Sequence, residues 1–177
     1  MNTRGYLHII MGPMFSGKTS RLIKIFEENQ NKKIFAINHV LDKRYSSNEI
    51  VSHDGKKIRC YSFKKIREIY DNFNEFEKTD IILINEAQFF EDLFELVIIM
   101  VEKYGKKVYL CGLDGDYEQK EIGKILKLIP HCDSVEKLRG KCHYCTNDSI
   151  FSKRITEDKE QVVVGNDNYV PCCRKCY

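Results

Sequence analysis

The 177-residue sequence lacks any apolar run long enough to cross a membrane. It also has little net charge, since 29 lysine and arginine residues against 26 acidic residues give a formal charge of +3. Composition therefore gives no indication of a nucleic-acid or membrane partner, because such partners attract strongly basic surfaces. No signal peptide, internal repeat or low-complexity linker is visible, so we expect a soluble, cytoplasmic protein.

Eight cysteines stand out, because disulfides are not expected in a reducing cytosol. Four of them form two Cys-x-x-Cys pairs, Cys142 with Cys145 and Cys173 with Cys176. Each pair can bring two thiolates to one ion, and four thiolates form the closed tetrahedral site of structural zinc. Cys172 makes the register ambiguous, but the spacing to Cys176 favours Cys173. We predict that Zn²⁺ binds these two pairs.

Apolar runs typical of strands alternate with helical patterns along most of the chain. Strands are predicted at 6–11, 34–40, 80–84 and 108–113. Helices are predicted from about Lys18, beyond Ser62 as N-cap, over 93–104 ahead of Gly105, and over 120–129 ahead of Pro130. This alternation indicates an α/β fold with a mainly parallel sheet flanked by helices. Because the pattern breaks after about Cys142, we expect domains at 1–141 and 142–177.

A phosphate-binding loop follows the first predicted strand and opens the first predicted helix. Its pattern G-x-x-x-x-G-K-[ST] is met at Gly12, Gly17, Lys18 and Thr19. The glycines let backbone N–H groups turn inward, Lys18 neutralises phosphate charge, and the Thr19 hydroxyl can bind Mg²⁺. The alternative is a glycine-containing surface turn, but the strand and helix on either side favour ATP binding and a P-loop (RecA-like) fold. The residues predicted to bind ATP here are Gly12, Pro13, Met14, Phe15, Ser16, Gly17, Lys18 and Thr19.

An acidic residue follows the buried strand at 80–84. P-loop enzymes carry such a residue near the metal, at the end of the sheet where ligands bind. Glu86 can then take the proton of an acceptor hydroxyl as general base. The alternative is that Glu86 caps the next helix. We predict Glu86 and Lys18 as the catalytic residues.

Several segments together resemble the type II thymidine kinases, a family of cellular and poxviral enzymes. They are GPMFSGKT at 12–19, DKRYSS at 42–47, HD at 53–54, NEAQFF at 85–90, LDGDYEQK at 113–120, FSKR at 151–154, GNDNY at 165–169 and CRKCY at 173–177. They occur in the family's order over nearly the whole chain. The compact length and the segments at 151–154 and 173–177 look most like the poxviral members.

The resemblance implies transfer of the ATP γ-phosphate to the 5′-hydroxyl of thymidine or deoxyuridine, with Glu86 as base. It extends the set near ATP and Mg²⁺ to Asp42, Lys43, Arg44, Asn85, Glu86, Ala87 and Gln88. It places near the nucleoside Met14, Gln88, Phe89 and Tyr117, and a "lasso" loop formed by Glu160, Gln161, Val162, Val163, Val164 and Tyr169. Zinc would pin both ends of the segment that contains this lasso. The family is commonly tetrameric, which implies a homotetramer here.

Two positions depart from the family pattern. Asn85 stands where the family usually has aspartate, and asparagine cannot supply the negative charge that helps to hold hydrated Mg²⁺. Our hypothesis is that Asp42 carries more of the metal binding. The segment between Arg154 and Gly165 also looks one residue short, which leaves the match at 160–164 open.

Two other classes of function compete with a nucleoside kinase. A P-loop ATPase with a zinc ribbon could act on nucleic acid, although the near-neutral charge argues against it. A non-catalytic nucleotide-binding or zinc-mediated interaction module is a further alternative. The intact set Lys18, Thr19 and Glu86 argues against that reading.

Overall fold

The computed structural model describes residues 4–42, 48–165 and 167–177. Its strands are β1 (Tyr6–Met11), β2 (Ile34–His39), β3 (Glu49–Val51), β4 (Lys57–Arg59), β5 (Tyr61–Phe63), β6 (Ile81–Ile84), β7 (Lys107–Gly112), β8 (Ser134–Lys137), β9 (Gly140–Lys141), β10 (Asp148–Ser149), β11 (Phe151–Arg154) and β12 (Tyr169–Cys172). Its helices are α1 (Lys18–Glu28), α2 (Phe73–Glu77) and α3 (Leu93–Ile98), which continues as a π-helical turn over Ile99–Lys103. Short 3₁₀ helices cover Ile66–Asn72, Ala87–Phe89 and Ile125–His131.

The central sheet has the strand order β5-β2-β6-β7-β1-β8, and every pairing in it is parallel. Strands β1, β2 and β6 are almost entirely buried, which fits their mostly apolar sequences because both faces of the sheet are covered. The predicted α/β fold with a mainly parallel sheet is therefore confirmed. All carboxyl ends of these strands meet at one edge, where ligands bind in such sheets.

Two apolar cores cover the two faces of the sheet. One contains Leu7 and Ile9 of β1 with Leu93 and Val97 of α3. The other contains Ile10 of β1 with the buried stripe of α1, and that stripe consists of Leu22, Ile23 and Ile25. Side chains of β1 thus alternate between the cores, which follows from the two-residue period of a strand. Helix α1 is held against the sheet directly behind the phosphate loop.

Ser62 does not cap a helix, contrary to the sequence-based prediction. It lies within β5, which pairs with β2 and stacks the Tyr61 ring on Phe35 with 4.5 Å between centroids. The helical turns begin at Ile66 instead, where a Glu68 carboxylate oxygen accepts the N–H of Lys65 over 2.7 Å. The expected helix at 120–129 likewise differs, since a 3₁₀ helix covers Ile125–His131 and contains Pro130.

The C-terminal part of the chain forms two small antiparallel pairs, β9 with β10 and β11 with β12. This part lies against the phosphate loop, because the Met14 N–H donates to Ser152 Oγ over 2.9 Å. A Cβ atom on Gly140 would also lie 2.8 Å from the Phe15 carbonyl oxygen. None of the helices in the described part of the chain is long and apolar enough to cross a membrane.

Candidate active site

The phosphate loop curls between the end of β1 and the first turn of α1. Gly12 has φ 151°, and a Cβ atom there would lie 2.5 Å from the Leu138 carbonyl oxygen, so only glycine permits this approach. Gly17 has φ 83° and directly precedes α1. The Lys18 ammonium donates to the Pro13 carbonyl oxygen over 2.6 Å. The lysine, the loop amides and the positive end of α1 are therefore together, as a phosphate group requires.

A chain of hydrogen bonds links Thr19 to Asp42 through two buried asparagines. Thr19 Oγ1 donates to Asn85 Oδ1 over 3.4 Å, and Asn85 Nδ2 donates to Asn38 Oδ1 over 2.9 Å. Asn38 Nδ2 then donates to Asp42 Oδ2 over 3.1 Å. Asn85 is 1% exposed and Asn38 is 2% exposed. Asn85, the residue that departs from the family pattern, thus belongs to a hydrogen-bonded network at the carboxyl ends of β2 and β6, in which its side-chain oxygen and nitrogen both have partners.

Glu86 has a left-handed backbone, with φ 52° and ψ 41°. This conformation is uncommon and costly for residues other than glycine, and such outliers cluster at functional sites. The Glu86 carboxylate accepts a hydrogen bond from Gln88 Nε2 over 2.7 Å, and Gln88 Oε1 accepts the N–H of Leu113 over 3.0 Å. A Cβ atom on Gly123 would lie 2.0 Å from the Gln88 carbonyl oxygen. Gln88 is therefore tightly packed and holds the carboxylate in place.

A cavity joins the phosphate loop to the C-terminal lasso. The predicted site residues that line it are Met14, Phe15, Ser16, Gly17, Lys18, Thr19, Asp42, Glu86, Phe89, Tyr117, Gln161, Val162, Val163, Val164 and Tyr169. Ser152, Asp116 and Ile122 line it as well. Residues from both predicted functional halves, donor and nucleoside, thus face one space.

Other predicted site residues lie outside this lining. Asn85, Ala87 and Gln88 are buried beneath the cavity, and Gln88, at 3% exposure, contacts it through Glu86. Glu160 is exposed. Gly12 and Pro13 are buried at the start of the phosphate loop. Lys43 and Arg44 lie outside the described residues.

The four cysteines of the two pairs converge on one point. The Sγ atoms of Cys142, Cys145, Cys173 and Cys176 all lie within 4.8 Å of one another. Cys145 Sγ lies 3.6 Å from the Sγ atoms of both Cys173 and Cys176. A tetrahedral zinc site with Zn–S bonds of about 2.3 Å has sulfur atoms about 3.8 Å apart. The donor set and its spacing therefore fit zinc, with Cys173 rather than Cys172 as the third ligand.

Two thiols of this cluster have pKa values shifted in opposite directions. Burial raises the pKa of the Cys142 thiol, but hydrogen bonds from the Cys173 and Tyr144 backbone and from Cys145 outweigh it and bring that pKa to about 6. Hydrogen bonds with Cys145 and Cys173 raise the pKa of Cys176 to about 12. Four thiolates this close repel one another, so the full set is stable only around a cation.

Comparison with known proteins decides the family. A family model described as "Thymidine kinase" matches residues 5–177. The chain belongs to the thymidine kinase family. It is similar to the thymidine kinase of sheeppox virus (strain KS-1), with 39% identity over 176 residues that cover 98% of this chain and 97% of that protein.

Plant and vaccinia proteins show the same likeness. The rice (Oryza sativa subsp. japonica) thymidine kinase is 36% identical over 179 residues, which cover 98% of this chain and 66% of that protein. The thymidine kinase of vaccinia virus (strain Ankara) is 35% identical over 176 residues, which cover 98% of this chain and 97% of that protein. The resemblance and the predicted enzyme class, thymidine kinase, are confirmed.

Four residues with contacts in this thymidine kinase site were not predicted from the sequence: Asn38, Asp116, Ser152 and Arg154. Asn38 is a polar residue near the end of the otherwise mostly apolar run at 34–40, and that position was the signal for it. Ser152 and Arg154 belong to the segment FSKR, which carried the resemblance without an assigned role. Gln161 donates from Nε2 to Asp116 Oδ2 over 2.8 Å. The bonds that Ser152 and Asp116 accept join residues that are far apart in the sequence.

Proposed function

We propose that this chain transfers the γ-phosphate of ATP to the 5′-hydroxyl of thymidine or deoxyuridine. The observation that carries the proposal is that one cavity is lined by the phosphate loop, by Glu86 and by the apolar segment 162–164. A site for the donor phosphates, a proton acceptor and an apolar surface for a base thus share one space. Membership of a kinase family implies ATP as donor and a nucleoside as substrate.

On the donor side, we assign the phosphates to the loop at 12–19 and to Lys18. The Lys18 ammonium lies on the Pro13 carbonyl oxygen and would exchange that partner for the β- and γ-phosphates. Thr19 and Asp42 offer the oxygen ligands that suit Mg²⁺, which would neutralise phosphate charge when bound. Lys43 and Arg44 stay predicted members of this set.

On the acceptor side, we assign the general base to Glu86. The 5′-oxygen forms a bond to the γ-phosphorus while the bond from that phosphorus to the β,γ-bridging oxygen breaks. The hydroxyl proton passes to the Glu86 carboxylate, and ADP leaves with the bonding electrons. Because Gln88 donates to this carboxylate, it would orient the base rather than contact the nucleoside.

The nucleoside would be held by apolar and aromatic side chains on both sides of the cavity. Met14, Phe89, Tyr117, Tyr169 and the lasso at 160–164 stay the predicted contacts. Glu160 is exposed and does not line the cavity, and its carbonyl oxygen accepts a hydrogen bond from Arg154. Recognition would then depend on how firmly the lasso is held.

Zinc would serve a structural purpose in this proposal. The four cysteines leave no open coordination position, so a bound ion would pin the ends of the segment between Cys145 and Cys173. That segment contains the lasso. The division into a P-loop domain at 1–141 and a zinc-binding domain at 142–177 follows from this reading and stays a prediction.

The remaining predictions concern partners and location. A homotetramer, a cytoplasmic location and the absence of nucleic-acid and membrane partners are still expectations. Light scattering on the zinc-loaded protein would measure the oligomeric state.

The deciding experiment is a phosphorylation assay with ATP and Mg²⁺ on the four deoxynucleosides and deoxyuridine. We expect thymidine or deoxyuridine to be phosphorylated by the wild type and not by Lys18→Met, which keeps the length of the side chain without its charge. Lys57→Met, at an exposed lysine that does not line the cavity, is the matched control and should keep activity. ATP hydrolysis that rises with DNA, without any nucleoside phosphorylation, would favour the rival ATPase function instead.

A further inference from the structure

Arg154 occupies a central position that the proposed mechanism does not use. Arg154 is the last residue of β11 and lies directly opposite Tyr169 of β12. Arg154 is only 9% exposed. Arginine is rarely buried to this degree unless its charge and its N–H groups have partners. The partners of Arg154 therefore indicate what it does.

The guanidinium binds the backbone of the lasso and of the residues just before it. Nη1 donates to the carbonyl oxygens of Asp158, over 2.9 Å, and Glu160, over 2.6 Å. Nη2 donates to the Gln161 carbonyl oxygen over 3.3 Å and to the Tyr169 hydroxyl. Three carbonyl groups within four residues thus converge on one planar cation. A guanidinium has five donors in a fixed fork, whereas a lysine ammonium is a single point charge.

The same guanidinium also reaches the opposite side of the cavity. Its central carbon lies 3.7 Å from the centroid of the Tyr117 ring, which is a close cation–π contact. The Tyr117 hydroxyl donates to the Lys159 carbonyl oxygen over 3.1 Å. Tyr117 and Tyr169 both line the cavity. Arg154 therefore connects the segment after β7, the lasso and β12.

No apolar core fixes the lasso within the described residues. Residues 155–162 are all exposed, and Val164 is 51% exposed. Segments with few buried apolar contacts open easily, so their position depends on specific polar contacts. Arg154 supplies three of those contacts, and the Gln161 side chain adds bonds to Asp116 and to the Glu121 carbonyl oxygen.

We propose that Arg154 is a positioning residue for the nucleoside site, which holds the lasso and the Tyr117 ring in place before substrate binds. This inference rests on the proposed function, since it assumes that the lasso covers a nucleoside. Preorganisation of this kind lowers the ordering cost of binding and affects the nucleoside more than ATP. A zinc ion bound by the four cysteines would hold the ends of the segment between Cys145 and Cys173, and Arg154 binds its middle.

The test compares Arg154→Lys with wild type and with Arg59→Lys, a matched change at an exposed arginine of β4. Steady-state KM and kcat are measured separately for thymidine and ATP, with zinc content checked in each protein. We expect Arg154→Lys to lower kcat/KM for thymidine by roughly tenfold to a hundredfold. KM for ATP and zinc content should stay within about twofold of wild type, and Arg59→Lys should match wild type.

A second readout does not depend on activity. A glutamyl-specific protease can cut at Glu160, in the lasso, and at Glu157, three residues before it, since both are exposed. We expect faster cleavage there in Arg154→Lys than in wild type and Arg59→Lys. Because Arg154 is nearly buried, the milder variant Tyr169→Phe is measured too; it removes only the hydroxyl shared by Arg154 Nη2 and the Val163 N–H. It should shift both readouts in the same direction by a smaller factor.

Unchanged thymidine kinetics and unchanged cleavage in Arg154→Lys would overturn the inference while the proposed function stands. An equal rise in KM for both substrates, with loss of zinc, would also overturn it, because it would indicate a merely structural role. If the wild type phosphorylates no nucleoside, the proposed function fails instead.

Discussion

The side-chain amide of Asn85 donates a hydrogen bond to Asn38 Oδ1 over 2.9 Å. The orientation of Asn38 is set from outside this pair, because the His39 N–H donates to the same Oδ1 atom over 3.1 Å and Asn38 Nδ2 donates to Asp42. Position 85 therefore faces an acceptor and needs a donor. Asparagine supplies one, and the aspartate usual in the family does not.

Replacing Asn85 with Asp should destabilise this protein. The new carboxylate would face Asn38 Oδ1 in a buried site and lose its donor, at a cost of about 1–3 kcal/mol in the free energy of unfolding. Asn38→Lys should rescue it, since a cation at position 38 can pair with a carboxylate at 85. Urea unfolding of both single variants and the double variant measures the coupling. The free energy of unfolding of the double variant should exceed the value obtained by adding the effects of the two single variants by at least about 1 kcal/mol.

Additive stabilities would show that the two positions are independent. The Mg²⁺ dependence of activity in the same variants tests the hypothesis about Asp42 separately. If Asn85→Asp alone leaves that dependence unchanged, the hypothesis that Asp42 carries more of the metal binding fails.

Replacing Glu86 with Gln should keep substrate binding and remove most turnover. The amide oxygen can still accept the hydrogen bond from Gln88, so the geometry is preserved, but the side chain can no longer take a proton. General-base catalysis is typically worth about 10²–10⁴ in rate. We expect kcat to fall by that range while nucleotide binding, measured by calorimetry, stays near wild type. Glu91→Gln, at an exposed glutamate, is the control. Near-normal kcat in Glu86→Gln would remove this residue from the mechanism.

The elements predicted correctly depend on local sequence. The run ahead of Gly12 forms β1, and the Gly-Lys-Thr step opens α1, because glycine freedom and helical periodicity act over a few residues. Strand β8 was missed, since its sequence Ser-Val-Glu-Lys alternates weakly and it is a strand only by pairing with β1. Pairing with β2 likewise places Ser62 in a strand.

The candidate site shows a similar division. The sequence motifs indicated which residues line the cavity, because each motif is a short run of consecutive residues with side chains suited to one task. They could not indicate that Gln88 points at Glu86 rather than at the cavity, since Gly123 and Leu113 force that position from elsewhere in the chain. The partners of Arg154 were hidden for the same reason.

Acid should destabilise the fold partly through His39. This side chain is buried against the Phe90 ring, and its Nδ1 accepts the N–H of Leu41 over 3.2 Å. Burial lowers the pKa of His39 below its usual 6.5, despite hydrogen bonding to Lys64 and nearby carboxylates. The unfolded chain therefore binds the proton more readily, and the free energy of unfolding should fall as pH drops below about 6.5.

Each such histidine contributes at most about 1.4 kcal/mol per pH unit. Burial also lowers the pKa of His8, so the wild-type slope contains both groups. The free energy of unfolding is measured in zinc-containing buffer between about pH 6.5 and 5.5. Over this range it should fall less steeply with decreasing pH in His39→Gln than in wild type. His53→Gln, at an exposed histidine, should not show this change. Equal slopes in all three proteins would exclude His39 as a source of the acid sensitivity.

Removal of the metal should impair nucleoside binding more than ATP binding. We expect one zinc ion per chain in the purified protein, because four thiolates close the site, and we expect a strong chelator to remove it.

Two adjacent cysteines provide a matched pair of variants. Cys173 lies in the cluster, whereas Cys172 is fully buried beside it with its Sγ 3.5 Å from the Cys173 carbonyl oxygen. Cys173→Ala should lose zinc and raise KM for thymidine by roughly tenfold or more, as the loosened lasso must be ordered on binding. Cys172→Ala should keep its zinc and its KM, at some cost in stability. The reverse result would reassign the third ligand, and zinc loss without any change in KM for thymidine would separate the metal from the lasso.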